Sequence, residues 1–296
     1  MRIHLAEDFD EKRAVIKVLG VGGAGCNAIT RMVEAGLEGV ELLAANSDAQ
    51  VLRKCQAHVC IQLGYNLTKG LGVGGDPQRC KDSALESTEQ LREVLRGADL
   101  VFVTTGMGGG TGTGGAPVVA RLAKELGALT VGVVTRPFDF ESLRRGSIAD
   151  AGIAEMRQSV DTLLVIPNQR IFDLIDPDTA HEQAFRMVDD VLRKSVQSIS
   201  DLITVPGMIN LDMNDLRTVM HNAGEALIGI GEAKGSDRAL QAARAAMSSP
   251  LLENVVMDGA KGLIVNIAGS KAGLKTSEVE QIMATIQGSA SPEVNL

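Results

Sequence analysis

The sequence predicts an α/β protein with three parts: a parallel-sheet domain, a long central helix, and a smaller α/β C-terminal domain that looks shortened. Three observations predict it. Short β-branched and aliphatic runs alternate with longer amphipathic segments through the first half of the chain. Strand alternating with helix in this way builds a parallel sheet covered on both faces. Two glycine clusters each follow an apolar run and open a helical segment. A long stretch of helical apolar periodicity then sets the first half apart from a smaller group of elements.

Taken in order, Val15–Leu19, Val40–Ala45, Leu100–Thr104, Leu129–Val134 and Leu163–Ile166 read as buried strands. Between them Ala24–Ala35, Gln78–Leu95, Ala116–Leu126 and Glu141–Met156 read as helices. The pattern changes after Pro167. From Thr179 to Ile203, Phe185, Val188, Leu192, Val196 and Ile199 recur at three- and four-residue spacing, and Pro206-Gly207 ends the stretch. Two further helices, Asp215–Ile228 and Asp237–Met247, precede an apolar strand, Gly262–Ala268. The expected organisation is residues 1–178 as the first domain, 179–205 as the central helix and 206–296 as the C-terminal domain.

A chain of 296 residues is long enough for two cores. Its 45% apolar and 22% charged residues are ordinary for a folded protein. A net charge of −8 argues against nucleic acid or anionic lipid as partners. The first thirteen residues mix acids and bases without an apolar centre, so they do not read as a signal peptide. No apolar run approaches the roughly 18 residues that a membrane span needs. The expected location is therefore the cytoplasm, without direct membrane insertion. Cys26, Cys55, Cys60 and Cys80 contain no C-x-x-C pair, and are expected to be reduced and mostly buried.

The first glycine cluster is Gly20-Val21-Gly22-Gly23-Ala24-Gly25, with Cys26, Asn27 and Ala28 opening a helix. It fits G-x-G-x-x-G, and Asp48 lies at the distance of a ribose-binding acid, so alone it admits an NAD-dependent oxidoreductase. Bare amides at a helix N-terminus bind phosphate whichever nucleotide carries it. The second cluster, Gly106-Met107-Gly108-Gly109-Gly110-Thr111-Gly112-Thr113-Gly114, shifts the balance. Two anion cradles at the ends of two strands suit a triphosphate better than a dinucleotide, and the threonines add hydroxyl donors. The parallel-sheet domain thus reads as a nucleotide-binding domain. No G-x-x-x-x-G-K-[ST] is present, so it is not a P-loop protein.

The run Gly108-Gly109-Gly110-Thr111-Gly112-Thr113-Gly114 resembles the tubulin signature, and the flanking sequence resembles FtsZ, the bacterial tubulin homologue, along nearly the whole chain. Gly22-Gly23 with Asn27, Asn46-Ser47-Asp48, Gly70-Leu71-Gly72 and Arg136-Pro137-Phe138-Asp139-Phe140-Glu141 match in the family's order. The resemblance implies a GTP/GDP site with Mg²⁺, GTP hydrolysis, and head-to-tail assembly with other copies of the chain, in cell division. It implies nucleotide contacts from Gly22, Gly23, Asn27, Asn46, Asp48, Gly72, Gly74, Gly106 and Gly108 to Thr113. It also implies Glu141 and Arg145 at the ribose and phosphates, Asn168 and Asp189 at guanine, and Phe185 stacked on the base. Plainer readings stand beside these: an i,i+4 ion pair for Glu141–Arg145, a turn asparagine for Asn168, and core for Phe185.

Asn210-Leu211-Asp212-Met213-Asn214-Asp215 resembles the family's loop that enters the next subunit's GTP pocket, which makes Asn210, Asp212 and Asp215 the catalytic candidates. Asp212 and Asp215 at a helix start read equally as capping acids, and the two roles are compatible. The family's closing strands, linker and tail peptide for division-protein adaptors are absent from the sequence, which ends at Leu296. That leaves a shortened chain or a family paralogue as alternatives. The rivals to the whole reading are the oxidoreductase and a nucleotide-binding scaffold that does not hydrolyse.

Overall fold

The computed structural model describes residues 14–176, 178–205, 211–249, 251–252, 262–269 and 273–288. The first part runs β1 (Ile16–Val21), α1 (Gly22–Glu34), β2 (Glu41–Asn46), α2 (Ala49–Lys54), β3 (Val59–Gln62), α3 (Tyr65–Thr68), α4 (Pro77–Glu86) and α5 (Thr88–Leu95). There follow β4 (Leu100–Gly106), α6 (Thr111–Glu125), β5 (Leu129–Arg136), α7 (Leu143–Ser159), β6 (Thr162–Pro167) and a 3₁₀ segment (Asn168–Leu174). The rest comprises α8 (His181–Thr204), α9 (Met213–Met220), β7 (Gly224–Ala226), α10 (Arg238–Met247) and α11 (Thr276–Gln287).

The seven strands among the described residues join one sheet in the order β3-β2-β1-β4-β5-β6-β7, and every neighbouring pair is parallel. β1 explains why. All six of its residues are buried, with Val18 on the face covered by α1 and α8, and Leu19 and Val21 on the face covered by α4 and α6. A strand covered on both faces reads as a continuous apolar run. The winding reverses between β1 and β4, and such a reversal opens a crevice at the carboxyl ends of the strands.

The long helix α8 lays Ala184, Val188, Leu192 and Val196 onto the sheet. Truncating Leu192 in so tight a setting would cost about 2–5 kcal/mol. α9 joins the same core through Leu216 and Met220. A separate, smaller core holds Ala239 and Ala243 of α10 against Ile282 and Ile286 of α11, with Leu263, Val265 and Ile267 packed on it.

Several elements depart from the sequence reading. The helix expected over Gln78–Leu95 is two helices, α4 and α5, broken at Ser87, whose hydroxyl accepts from the Gly64 N–H at 3.0 Å. α6 begins at Thr111, inside the glycine cluster, although each helical glycine costs roughly 1 kcal/mol in propensity. Close approach requires it: a Cβ on Gly114 would lie 1.9 Å from the Pro77 carbonyl oxygen of α4. The helix expected over Asp215–Ile228 stops at Met220, because His221 turns extended at ψ 121° and the left-handed Asn222, at φ 52°, keeps the helix from resuming. Residues 224–226 then pair with β6 as an added strand. Over Gly262–Ala268 the alternation faces a core as expected, yet only Gly262 makes a bridge and 263–269 form no strand among the described residues. No helix among the described residues is long and apolar enough to cross a membrane.

Candidate functional site

At the reversal point between β1 and β4, a cavity of about 370 Å³ opens at the carboxyl ends of the strands. Its floor is the N-terminus of α1, through Gly23, Ala24 and Asn27, and the loop from Gly106 to Gly112. Neither α1 nor α6 has a side chain capping its N-terminus. Their first amides, with no intrahelical acceptors, are left to a ligand, and helix N-termini favour anions. A Cβ on Gly23 or Gly109 would meet nothing within 4 Å, so packing does not exclude a side chain there; the space belongs to the cavity. Gly110 differs, since a Cβ would strike Val73 at 2.7 Å and the Asp76 N at 2.8 Å.

The far wall comes from segments distant in sequence. Thr135 ends β5, Asn168 follows β6, and Phe185, Val188, Asp189 and Leu192 lie along one face of α8. Asn168 is buried, and its Oδ1 has no hydrogen-bond partner among the described residues. An orphaned buried acceptor costs stability until a donor reaches it, which fits a ligand carrying N–H groups at that end. Burial pushes the Asp189 carboxyl up to about 7, against the pull of Arg31. Phe185 meets Phe138 edge-on at 5.2 Å, with 37% of its surface still exposed. Glu141 and Arg145 pair at 2.6 Å and line the cavity together, so the ion pair and a site position coincide. Glu141 precedes the helix, which Ser142 caps by accepting from the Arg145 N–H; its carboxylate also takes the Phe138 N–H at 2.9 Å.

Of the residues anticipated for the nucleotide, Gly23, Asn27, Gly106, Gly109, Gly110, Thr111, Gly112, Glu141, Arg145, Asn168, Phe185 and Asp189 line this cavity. Gly22, Asn46, Asp48, Gly72, Gly74, Gly108 and Thr113 stand outside its lining. Asp48 caps α2 by accepting from Gln50 and Val51. Asn46 is buried, accepting from the Asp48 N–H and facing Cys26. Thr113 holds the Gly108 N–H at 2.9 Å, shaping the loop from behind. Gly22, Gly72 and Gly74 supply left-handed backbone at φ 76°, 81° and 63°. Met107, Thr135, Pro137, Val188 and Leu192 line the cavity without having been anticipated there. For Val188 and Leu192 the signal was present, because they share the helical face of Phe185 and Asp189.

Asp212 and Asp215 do not line the cavity of their own chain. Both are exposed and form a reciprocal cap on α9: Asp212 Oδ1 accepts from Asn214 N at 2.7 Å and Asp215 N at 2.9 Å. Asp215 Oδ2 in turn accepts from Asp212 N at 3.2 Å. Asn210 lies outside the described residues. Among the described residues no cluster of three or more His, Cys, Asp or Glu side chains is arranged to hold a metal ion.

Residues 15–176 match the Tubulin/FtsZ family, GTPase domain, and residues 224–296 match the FtsZ family, C-terminal domain. The structure is similar to that of the empty FtsZ dimer of M. jannaschii, with 42% identity and a TM-score of 0.91. That likeness covers 96% of this chain and 83% of the other. It is also similar to the GDP-bound CetZ1 monomer of Haloferax volcanii, at 21% identity and a TM-score of 0.81 over 95% of this chain and 88% of that one. The GTPγS-bound CetZ2 protofilament of the same organism gives 19% and 0.78, over 95% and 87%. At those lower identities the likeness speaks for the fold alone. With the GTPase-domain match covering more than half of its residues, and with a cavity built on two glycine loops at the sheet's reversal point, this chain belongs to the tubulin/FtsZ family of filament-forming GTPases.

Proposed function

We propose that this chain binds GTP in the cavity and hydrolyses it only where a second copy completes the site, in filaments serving cell division. The observation that carries the reading is the division of labour between the two ends of the cavity. At one end, two uncapped helix N-termini and the open cradles at Gly23 and Gly109 suit phosphates. At the other, Asn168 Oδ1 lacks a donor and Asp189 stands ready as an acceptor. Guanine offers N1–H and a 2-amino group to such acceptors; adenine has no matching pair. Phe185 supplies the apolar face.

Among the described residues the cavity's carboxylates are Glu141, held by Arg145, and Asp189 on the far wall, which leaves the attacking water to be aligned from elsewhere. Asp212 and Asp215, with Asn210, would do so from the next copy, their carboxylates held by the α9 cap and exposed to a neighbour. Aligned water then attacks the γ-phosphorus in line, while the loop amides offset the charge that develops on the transferring oxygens. Mg²⁺ would ride on the phosphates with its waters, a mode needing no protein cage. Pocket and acids on different surfaces make the contact head-to-tail, which grows as an open filament. The oxidoreductase reading is not favoured, since its ribose acid, Asp48, is occupied in capping α2 outside the cavity.

Mixing tests the shared site. Asp212→Ala, with an intact pocket, and Gly109→Val, with intact acids and a filled cradle, should each hydrolyse little alone. Combined, they should recover activity at junctions that place a good acid beside a good pocket. Full activity of purified Asp212→Ala and Asp215→Ala chains would overturn the reading.

A further inference from the structure

Away from the nucleotide cavity, three of the four cysteines meet behind α1. Cys26 is buried in α1, Cys55 is half-buried at the end of α2, and Cys60 is exposed on β3. Cys55 is the point of convergence. Its thiol donates to the Cys26 carbonyl oxygen at 3.4 Å, and Thr30 Oγ1 donates to its sulfur at 3.7 Å. Cys60 Sγ lies 3.8 Å from the Leu52 carbonyl oxygen, which also takes the Cys55 N–H at 3.1 Å, so both residues close on the end of α2. A half-buried thiol thus has an exposed one close by at the same helix end. Interaction with the Cys26 thiol, foremost, holds Cys55 below the ordinary thiol range despite burial. The same interaction, together with burial, pushes Cys26 far up. Cys80 sits apart, donating to the Thr111 carbonyl, and burial pushes it up to about 12.

We propose that Cys55 and Cys60 form a site of reversible oxidation by hydroperoxides. The Cys55 thiolate attacks a peroxide oxygen; the O–O bond breaks, sulfenic acid forms, and the alkoxide or hydroxide leaves with a proton. The Cys60 thiol then attacks the sulfenic sulfur, the S–O bond breaks, and water carries off the oxygen as the disulfide closes. Two electrons pass from the two sulfurs to the peroxide. Cys60 is the resolving residue because it is exposed, whereas Cys26 is enclosed and held strongly in its protonated form. The site uses none of the residues assigned to the nucleotide.

The test treats the reduced full chain with hydrogen peroxide, traps remaining thiols with N-ethylmaleimide under denaturing conditions, and maps the peptides by mass spectrometry. Cys55 and Cys60 should lose alkylation together, their shared peptide becoming two hydrogens lighter, with dithiothreitol restoring both and Cys80 unaffected. At pH 6.5, native Cys55 should react with iodoacetamide at least tenfold faster than Cys60, because far more of it is thiolate. Cys60→Ser should arrest Cys55 as a dimedone-reactive sulfenic acid, and Cys55→Ser should leave Cys60 reduced. Oxidation of Cys60 or Cys80 before Cys55, or a Cys26–Cys55 link in the unaltered chain, would overturn the assignment; neither requires a variant to fold.

Discussion

The Asp189 carboxyl titrates near neutrality, so the base end of the cavity changes charge within the ordinary working range. In the proposed base contact, only the ionised form accepts from both guanine donors. GTP affinity should therefore fall as pH drops below about 7, because binding must first expel the proton. Calorimetric titrations from pH 5.5 to 8.5 check this, with Asp189→Ala subtracting the nucleotide's own ionisation. The same shift affects the empty fold. Asp189 in the folded chain keeps its proton up to about 7, while in the unfolded chain it loses it near 3.8. Its burial thus destabilises the empty protein increasingly as pH rises from about 4 to 7, levelling off above that range. Charge-assisted hydrogen bonds contribute about 1.5–3 kcal/mol each, so Asp189→Ala should weaken GTP roughly tenfold or more and bring it level with ATP. Unchanged preference for GTP would show that another residue reads the base. At this scale the sequence was legible in chemistry more than in address. Two glycine loops announced phosphates through their composition, but Asn168 and Asp189 look like a turn asparagine and a helix acid until the fold brings them to one wall.

At the scale of the element, the first turn of α9 carries both the helix cap and the acids proposed to align water. Asp212→Ala removes the N-cap, which costs about 1 kcal/mol, along with the proposed water-aligning carboxylate. Asp212→Asn separates them, because asparagine caps as well as aspartate but carries no charge. The Asn variant should keep its melting temperature and GTP affinity while its hydrolysis falls at least tenfold. Hydrolysis at the unaltered rate would reduce Asp212 to a cap. Gly109→Val makes the complementary change, filling the cradle from a position where an added Cβ meets no neighbouring segment within 4 Å. GTP binding should drop with little change in melting temperature. The five central strands were readable because each is buried on both faces and spells an apolar run. β3 and β7 were not: one is four residues long with only Ile61 buried, the other is Gly224-Glu225-Ala226, held only by register against β6. The end of α9 was missed for a local reason, the left-handed Asn222, which periodicity does not reveal.

Across the whole molecule, stability should be uneven. The sheet is sandwiched between two large cores, whereas α10 and α11 share a small one built around Ala239, Ala243, Ile282 and Ile286. Amides of α10 and α11 should exchange with deuterium before those of α1 and α6, since fewer buried contacts oppose local opening. Equal protection in both would mean the smaller unit is covered or stabilised by something beyond its own core. The large-scale architecture was legible from alternation alone, whereas the proposed dependence on a second copy was anticipated only through the family resemblance of Asn210–Asp215, because one chain's pattern says nothing about its neighbour. That dependence is the central claim, and the rate of phosphate release from GTP, measured against protein concentration, tests it most directly. Release per chain should be near zero when dilute and rise steeply as copies meet, giving a superlinear total rate. A total rate strictly proportional to concentration down to the most dilute sample would contradict it, placing the complete catalytic site within a single chain.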